Sequence, residues 1–152
     1  MIGDVCIDVL FPAIDAPEAD SSLPWNEQGA LLNWYSLVLR ISYGKFSVLM
    51  TGDIHEEIEA DMVTMYGSAL ESSVLKLPHH GNSTSTSQIF VDAVKPKLGV
   101  VMSTGCEWVV QRKFSNRLIP LYGTFSDGTI QVTTDGESMN VSCWKGCAKY
   151  TL

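Results

Sequence analysis

Long hydrophobic runs, a basic leader and clustered basic residues are all absent from this 152-residue sequence. No apolar run approaches the length of a membrane span, and the start, MIGDVCIDVLFPAID, lacks the positive charges that begin a signal peptide. The net charge of −7 argues against a free-standing nucleic-acid binder, because phosphate contacts require clustered lysine and arginine. A bound metal ion would make the electrostatic potential around it positive, so the net charge does not exclude a nuclease. We expect a cytoplasmic protein, or a soluble domain of a larger one.

Cysteine is also scarce, and its spacing excludes a zinc finger or a dense disulfide framework. The four cysteines form no paired C-x-x-C motifs. Cys143 and Cys147 could pair within CWKGC, but we expect free thiols in a cytoplasmic protein.

The length fits one domain over residues 1–152, and apolar periodicity divides it into alternating strands and helices. We predict a mixed or antiparallel sheet with about three helices, in an α+β layered fold. The predicted helices cover 54–66, 86–94 and 109–117, and residues 13–30 form a loop. The predicted strands cover 4–12, 73–78, 97–105 and 119–125, with hairpins around Gly44-Lys45 and Asp135-Gly136.

Two stretches contain the residue types of a metal site. The strand VLMTGD ends in Asp53, and VLKLPHHG contains His79 and His80, two of only three histidines. Taken alone, Asp53 is better interpreted as the N-cap of the next helix, and the histidine pair as a polar loop. Asp53 and His79 nevertheless lie at the C-terminal ends of two strands with one helix between them. That arrangement can bring both to one edge of a sheet, where carboxylate and imidazole would suit zinc, manganese or iron.

A longer series of motifs extends this interpretation. In order, the stretches NWYSLVLRISYGKFSVLMTGDIHEEIEADMV, VLKLPHHGNSTSTSQIFVDAVKPKLGVVMSTG and DGTIQVTTDG resemble the metallo-β-lactamase-fold domain of ComEC-type competence proteins. The resemblance covers residues 5–137 and implies the C-terminal half of an αββα fold. It also implies a metal-dependent hydrolase that acts on phosphodiesters, with nucleic acid as the substrate of the intact parent and zinc, or manganese or iron, as the cofactor.

The resemblance also implies roles for individual residues. Asp53 would bridge two metal ions, and His79 would be a terminal metal ligand. His80, as the catalytic group, would either support the metal ligands from behind or contact a phosphate or a developing oxyanion. Ser83, Thr84 and Ser85 could bind substrate, although capping of the next helix is the simpler interpretation for at least one of them.

The sequence departs from the family pattern in two places. It contains no His-x-His-x-Asp-His motif and no Gly-His-Pro after VVMSTG, and we predict that its remaining histidine, His55, is solvated. We therefore expect weak or absent metal binding and no activity from this chain alone. Two alternatives stay open: a site completed in trans by a partner or an oligomer, and a non-catalytic interaction module. A lone half-fold would leave an apolar sheet face uncovered, so we also expect a homodimer or higher oligomer.

Overall fold

A six-stranded mixed sheet forms the centre of the computed structural model, which describes residues 3–12, 22, 32–146 and 150–151. Its strands lie side by side in sequence order: β1 (Cys6–Phe11), β2 (Val38–Tyr43), β3 (Phe46–Met50), β4 (Val74–Lys76), β5 (Leu98–Val101) and β6 (Leu121–Gly123). The first three are antiparallel, and β3 to β6 are parallel. The predicted mixed sheet is confirmed, as is the hairpin around Gly44-Lys45. The predicted loop over 13–30 lies almost entirely outside the described residues.

The three predicted helices are present. They are α1 (Glu56–Tyr66), α2 (Gln88–Val94) and α3 (Trp108–Ser115), and a short α4 (Thr124–Asp127) follows β6. The prediction of a strand as far as residue 125 is wrong beyond Gly123. There the Asp127 carboxylate accepts hydrogen bonds from the Gly123 N–H at 2.8 Å and the Ser126 hydroxyl at 2.7 Å, which closes a helical turn.

The helices cover one face of the large sheet. Ile58 and Met62 of α1 pack in a core cluster with Leu75 of β4 and with Phe90 and Phe114 from the other helices. The apolar stripe of α1 is therefore core packing, as the sequence predicts.

A second, three-stranded sheet packs on the opposite face. It comprises β7 (Ile130–Thr134), β8 (Met139–Cys143) and β9 (Tyr150–Thr151), and the β7–β8 pair confirms the predicted hairpin around Asp135-Gly136. Met139 and Val141 cover Val74, Leu98 and Tyr122 of the large sheet. The face expected to be bare is thus covered over its parallel half.

At β1 the large sheet is exposed to solvent. Ile7 and Val9 are 44% and 61% exposed there. None of the helices in the described part of the chain is long and apolar enough to cross a membrane.

Cys143 is disulfide-bonded, so the expectation of a free thiol is wrong at this position. Cys147 lies outside the described residues. Cys6 and Cys106 are free thiols.

Candidate functional site

The turn that follows β3 is shaped by Thr51, Gly52 and Asp53. The Thr51 hydroxyl is buried and donates to the Lys76 carbonyl at 2.7 Å, which ties the end of β3 to the end of β4. Gly52 has φ +53°, and a Cβ on it would lie 2.6 Å from the Cβ of Ser36. The Ser36 hydroxyl accepts the N–H of Asp53 at 3.0 Å. Glycine is required here by both conformation and space, and the result is a fixed backbone under the Asp53 carboxylate.

The turn that follows β4 contains the histidine pair. His79, His80 and Gly81 all have positive φ, at 44°, 55° and 75°. Left-handed conformations at consecutive non-glycine residues cost about 1–3 kcal/mol each, and they persist where surrounding contacts hold them. The His79 N–H donates to the Gly52 carbonyl at 3.3 Å, and the Ser85 hydroxyl donates to the Pro78 carbonyl at 3.0 Å. The two turns are therefore joined directly at one edge of the sheet.

Asp53 faces two cationic or potentially cationic groups. The Lys76 ammonium lies 3.3 Å from Asp53 Oδ1 and donates to the Gly52 carbonyl at 2.5 Å. His80 Nε2 lies 3.4 Å from Asp53 Oδ2. The N-cap of α1 is His55, not Asp53, so the capping interpretation of Asp53 is wrong. Its side chain is aimed at the neighbouring strand end instead.

The tautomer of His80 follows from its second ring nitrogen. His80 Nδ1 lies 2.7 Å from the Met102 carbonyl oxygen, which can only accept, so Nδ1 carries a hydrogen. In a neutral ring the Nε2 lone pair then points at the Asp53 carboxylate. Two acceptors at this distance repel each other unless a proton or a metal ion lies between them. An Nδ1–H bonded to a backbone carbonyl is also the usual arrangement behind a metal-ligating histidine.

His79 is oriented differently from His80. Its Nδ1 lies 3.3 Å from the Thr84 hydroxyl, and its ring stacks on that of His55, with centroids 4.7 Å apart and planes 13° from parallel. Burial, and next the neighbouring His55, lower the pKa of His79 and favour its neutral form. The three histidines of the chain and Asp53 thus gather at one sheet edge, although only His80 directs a ring nitrogen at the carboxylate.

Two residues of this cluster are missed by the sequence analysis. His55 is half-buried against His79, and its Nε2 is buried without a hydrogen-bond partner among the described residues, so the expectation that it is solvated is wrong. Its position two residues after Asp53 is the only signal that could have indicated a role. Lys76 is buried as well, and a lysine within the apolar strand VLKLP was the corresponding signal.

The hydroxyl-rich loop after the histidine pair does not cap α2 through Ser83, Thr84 or Ser85. The N-cap is Ser87, and its side chain makes no capping bond. The Ser85 hydroxyl is buried and donates to backbone carbonyls within the loop. The prediction that at least one of these residues caps α2 is therefore wrong.

The described residues do not supply a complete metal site. Among them, no group of three or more His, Cys, Asp and Glu side chains is arranged to hold a metal ion. The Asp53–His80 pair nevertheless has a suitable spacing, because two ligands of a tetrahedral zinc ion lie about 3.3 Å apart. The arrangement can hold a proton or share one cation, and further ligands would have to come from elsewhere.

No family model matches the sequence. The chain is similar to competence protein ComA of Neisseria gonorrhoeae, with 44% identity over 71 residues, which is 47% of this chain and 10% of that protein. It is similar to ComE operon protein 3 of Bacillus subtilis (strain 168), with 33% identity over 100 residues, 66% of this chain and 11% of that protein. It is also similar to recombination protein 2 of Haemophilus influenzae, with 35% identity over 71 residues, 47% of this chain and 9% of that protein. The chain spans about a tenth of the length of these curated relatives. These similarities suggest a relationship to the competence proteins.

Proposed function

We propose that this chain acts in DNA uptake as part of a competence-type protein, and that it contributes part of a metal-dependent site that hydrolyses phosphodiesters. The similarity to proteins named for competence supports the first statement. The second depends on the contact between His80 Nε2 and Asp53 Oδ2 at 3.4 Å, with Nδ1 of the same ring held by the Met102 carbonyl. The metallo-β-lactamase fold itself stays a prediction.

The geometry favours His80 over His79 as the imidazole that shares a cation with Asp53. His80 directs Nε2 at the carboxylate, whereas His79 is engaged by Thr84 and His55. His79 then acts as a positioning residue, because its N–H bond to Gly52 and its stacked ring hold the turn that presents His80.

Lys76 limits how Asp53 can act. Its ammonium occupies Oδ1, so only Oδ2 of the carboxylate is available to a metal ion. The positive charge of the ammonium also offsets the negative charge of a phosphodiester near Asp53. In this arrangement Asp53 is a ligand to one cation instead of a bridge between two.

The donor set fits a divalent cation but is incomplete, since catalytic zinc usually takes three protein ligands. A bound cation would supply Lewis acidity for the charge that develops on a phosphodiester. Asp53 and His80 would orient that cation. Lys76 would exclude a second cation from Oδ1 of Asp53 and add a positive charge at this edge of the sheet. The missing ligands would come from residues outside the described ones or from a partner, so we expect weak binding by this chain alone.

Calorimetric titration of the chain with Mn²⁺ at pH 7.5 tests the site. We expect one weak site, lost in Asp53→Asn and in His80→Gln. Asp61→Asn is the matched control, because Asp61 is exposed on α1 and a change there should leave the titration unchanged. Retention of binding in His80→Gln together with its loss in His79→Gln would return the ligand role to His79. Undiminished binding in Asp53→Asn would refute the site.

A further inference from the structure

A cavity of about 400 Å³ opens at the same sheet edge, between the ends of β5 and β6 and the helix α3. Its size lies within the range of ligand pockets, and the carboxyl edge of parallel strands is where α/β sheets bind ligands. We propose that this cavity is a subsite for the base of a nucleotide whose phosphate lies at the Asp53–His80 pair. The inference rests on the proposed function and names how its substrate would be held.

The lining of the cavity is neutral. Among the described residues that form it, none is charged, so a phosphate would find no cation there. Burial, and next the neighbouring Glu107, raise the pKa of Cys106 to about 11, which keeps its thiol uncharged at neutral pH. An apolar floor is joined by hydroxyl and amide groups, a combination that suits a flat heterocycle with a polar edge. The floor is formed by Val101, Phe114, Ile119 and Leu121, and the polar groups by Ser103, Thr104, Gln111, Ser115 and Ser126.

The cavity lies beside the turn that carries His80. Met102, whose carbonyl holds His80 Nδ1, lies between two lining residues, Val101 and Ser103. Cys106 packs against the turn that presents His80, and a Cβ on Gly81 would lie 2.6 Å from its sulfur. A ligand with a phosphate at His80 could therefore extend past Cys106 into the cavity.

The surroundings of the cavity combine aromatic rings with cations. Phe125 lines the cavity, is 63% exposed, and has the Lys145 ammonium 5.8 Å from its ring centroid. Trp108, at the start of α3, is 65% exposed and lies under the guanidinium of Arg112 at 5.2 Å. Exposed rings beside cations are the arrangement that binds single strands, because bases stack while the cations attract the backbone. These pairs place positive charge near the cavity in a chain whose net charge is −7.

Fluorescence anisotropy with the full chain and Mn²⁺ tests the subsite. The probes are a labelled dodecathymidylate and an abasic oligonucleotide of the same length, which match in charge and differ in bases. We expect the abasic strand to bind roughly fivefold or more weakly, the lower limit for loss of one stacked base. Phe125→Ala and the cavity-filling Ser115→Trp should weaken binding of the thymidylate and leave the abasic strand unchanged.

Met65→Ala is the control, because Met65 lies on α1 and is 61% exposed, about as much as Phe125. Far-ultraviolet circular dichroism of each variant checks that it is folded. Equal affinity for the two strands, equal weakening of both by Phe125→Ala, or no binding of either would overturn the subsite. The Mn²⁺ titration of Asp53→Asn and His80→Gln needs no nucleic acid, so it reports separately on the proposed function.

Discussion

Glu59 is a buried carboxylate that holds the loop between the histidine pair and α2. It is fully buried, and its two oxygens accept the N–H groups of Thr86 and Ser87 at 2.5 and 2.6 Å. The Lys113 ammonium donates to the Thr86 carbonyl at 2.8 Å on the same loop. Glu59 therefore takes the place of the missing side-chain cap of α2, from a helix that is distant in sequence.

Burial of Glu59 makes the stability of the fold depend on pH. Burial raises the pKa of this carboxyl, against hydrogen bonds from Ser87 and Thr86 that lower it. A carboxyl whose pKa is higher in the folded state contributes stability at low pH that is lost as the pH rises through that folded pKa. The wild type should therefore lose stability relative to Glu59→Gln from about pH 4 upward. Urea unfolding of both proteins between pH 4 and 8 measures the difference, and a wild-type advantage that grows with pH would contradict the prediction.

At the scale of residues, the sequence predicts which side chains lie at the same edge of the sheet better than it predicts which side chains touch. Asp53 and the histidine pair could be placed at one edge, because parallel strands joined by a helix end on the same side. The stacking of His55 on His79 and the pairing of Lys76 with Asp53 could not be predicted. They depend on side-chain directions that arise only after the two turns have packed together.

At the scale of elements, the turn after β3 determines where the Asp53 carboxylate lies. Gly52→Ala should be more destabilising than Gly67→Ala, although both residues have positive φ, at +53° and +50°. Alanine at Gly67 meets open space and should cost about 1–2 kcal/mol in the free energy of unfolding. Alanine at Gly52 adds a contact at 2.6 Å from Ser36, which should cost about 1–3 kcal/mol more.

Urea denaturation of the two glycine variants checks this difference. The same change at Gly52 should also weaken Mn²⁺ binding, because it shifts the backbone that carries Asp53, whereas Gly67→Ala should not. Equal losses of stability in the two variants would show that the turn has room to relax.

Element types were predictable where local signals agree with packing. The Gly44-Lys45 pair between two β-rich runs predicts the β2–β3 hairpin, and the apolar spacing of residues 54–66 predicts α1. The predicted strand over 119–125 is too long because its residues favour a strand locally, whereas hydrogen bonds to the Asp127 carboxylate turn the chain after Gly123. The covering of the large sheet by β7 to β9 was not foreseen either, since it depends on contacts between segments distant in sequence.

At the scale of the whole molecule, helices cover one side of the large sheet, and β7 to β9 cover the parallel half of the other side. Exposure of Ile7 and Val9 leaves an apolar area at β1, and such areas favour association. We still expect a homodimer or higher oligomer. Sedimentation at micromolar concentration should show a mass above 16.7 kDa that Val9→Lys reduces. A monomer in the wild type would contradict this.

The proposed sharing of one divalent cation by Asp53 and His80 can be observed directly by anomalous X-ray scattering. Crystals of the chain soaked in Mn²⁺ should show one anomalous peak between Asp53 Oδ2 and His80 Nε2. The peak should lie about 2.0–2.2 Å from each atom, which is the range of distances from zinc to nitrogen and carboxylate ligands. The peak should be absent from Asp53→Asn crystals soaked in the same way. A wild-type map without a peak at this position, or with its peak away from both side chains, would show that the two residues do not share a cation.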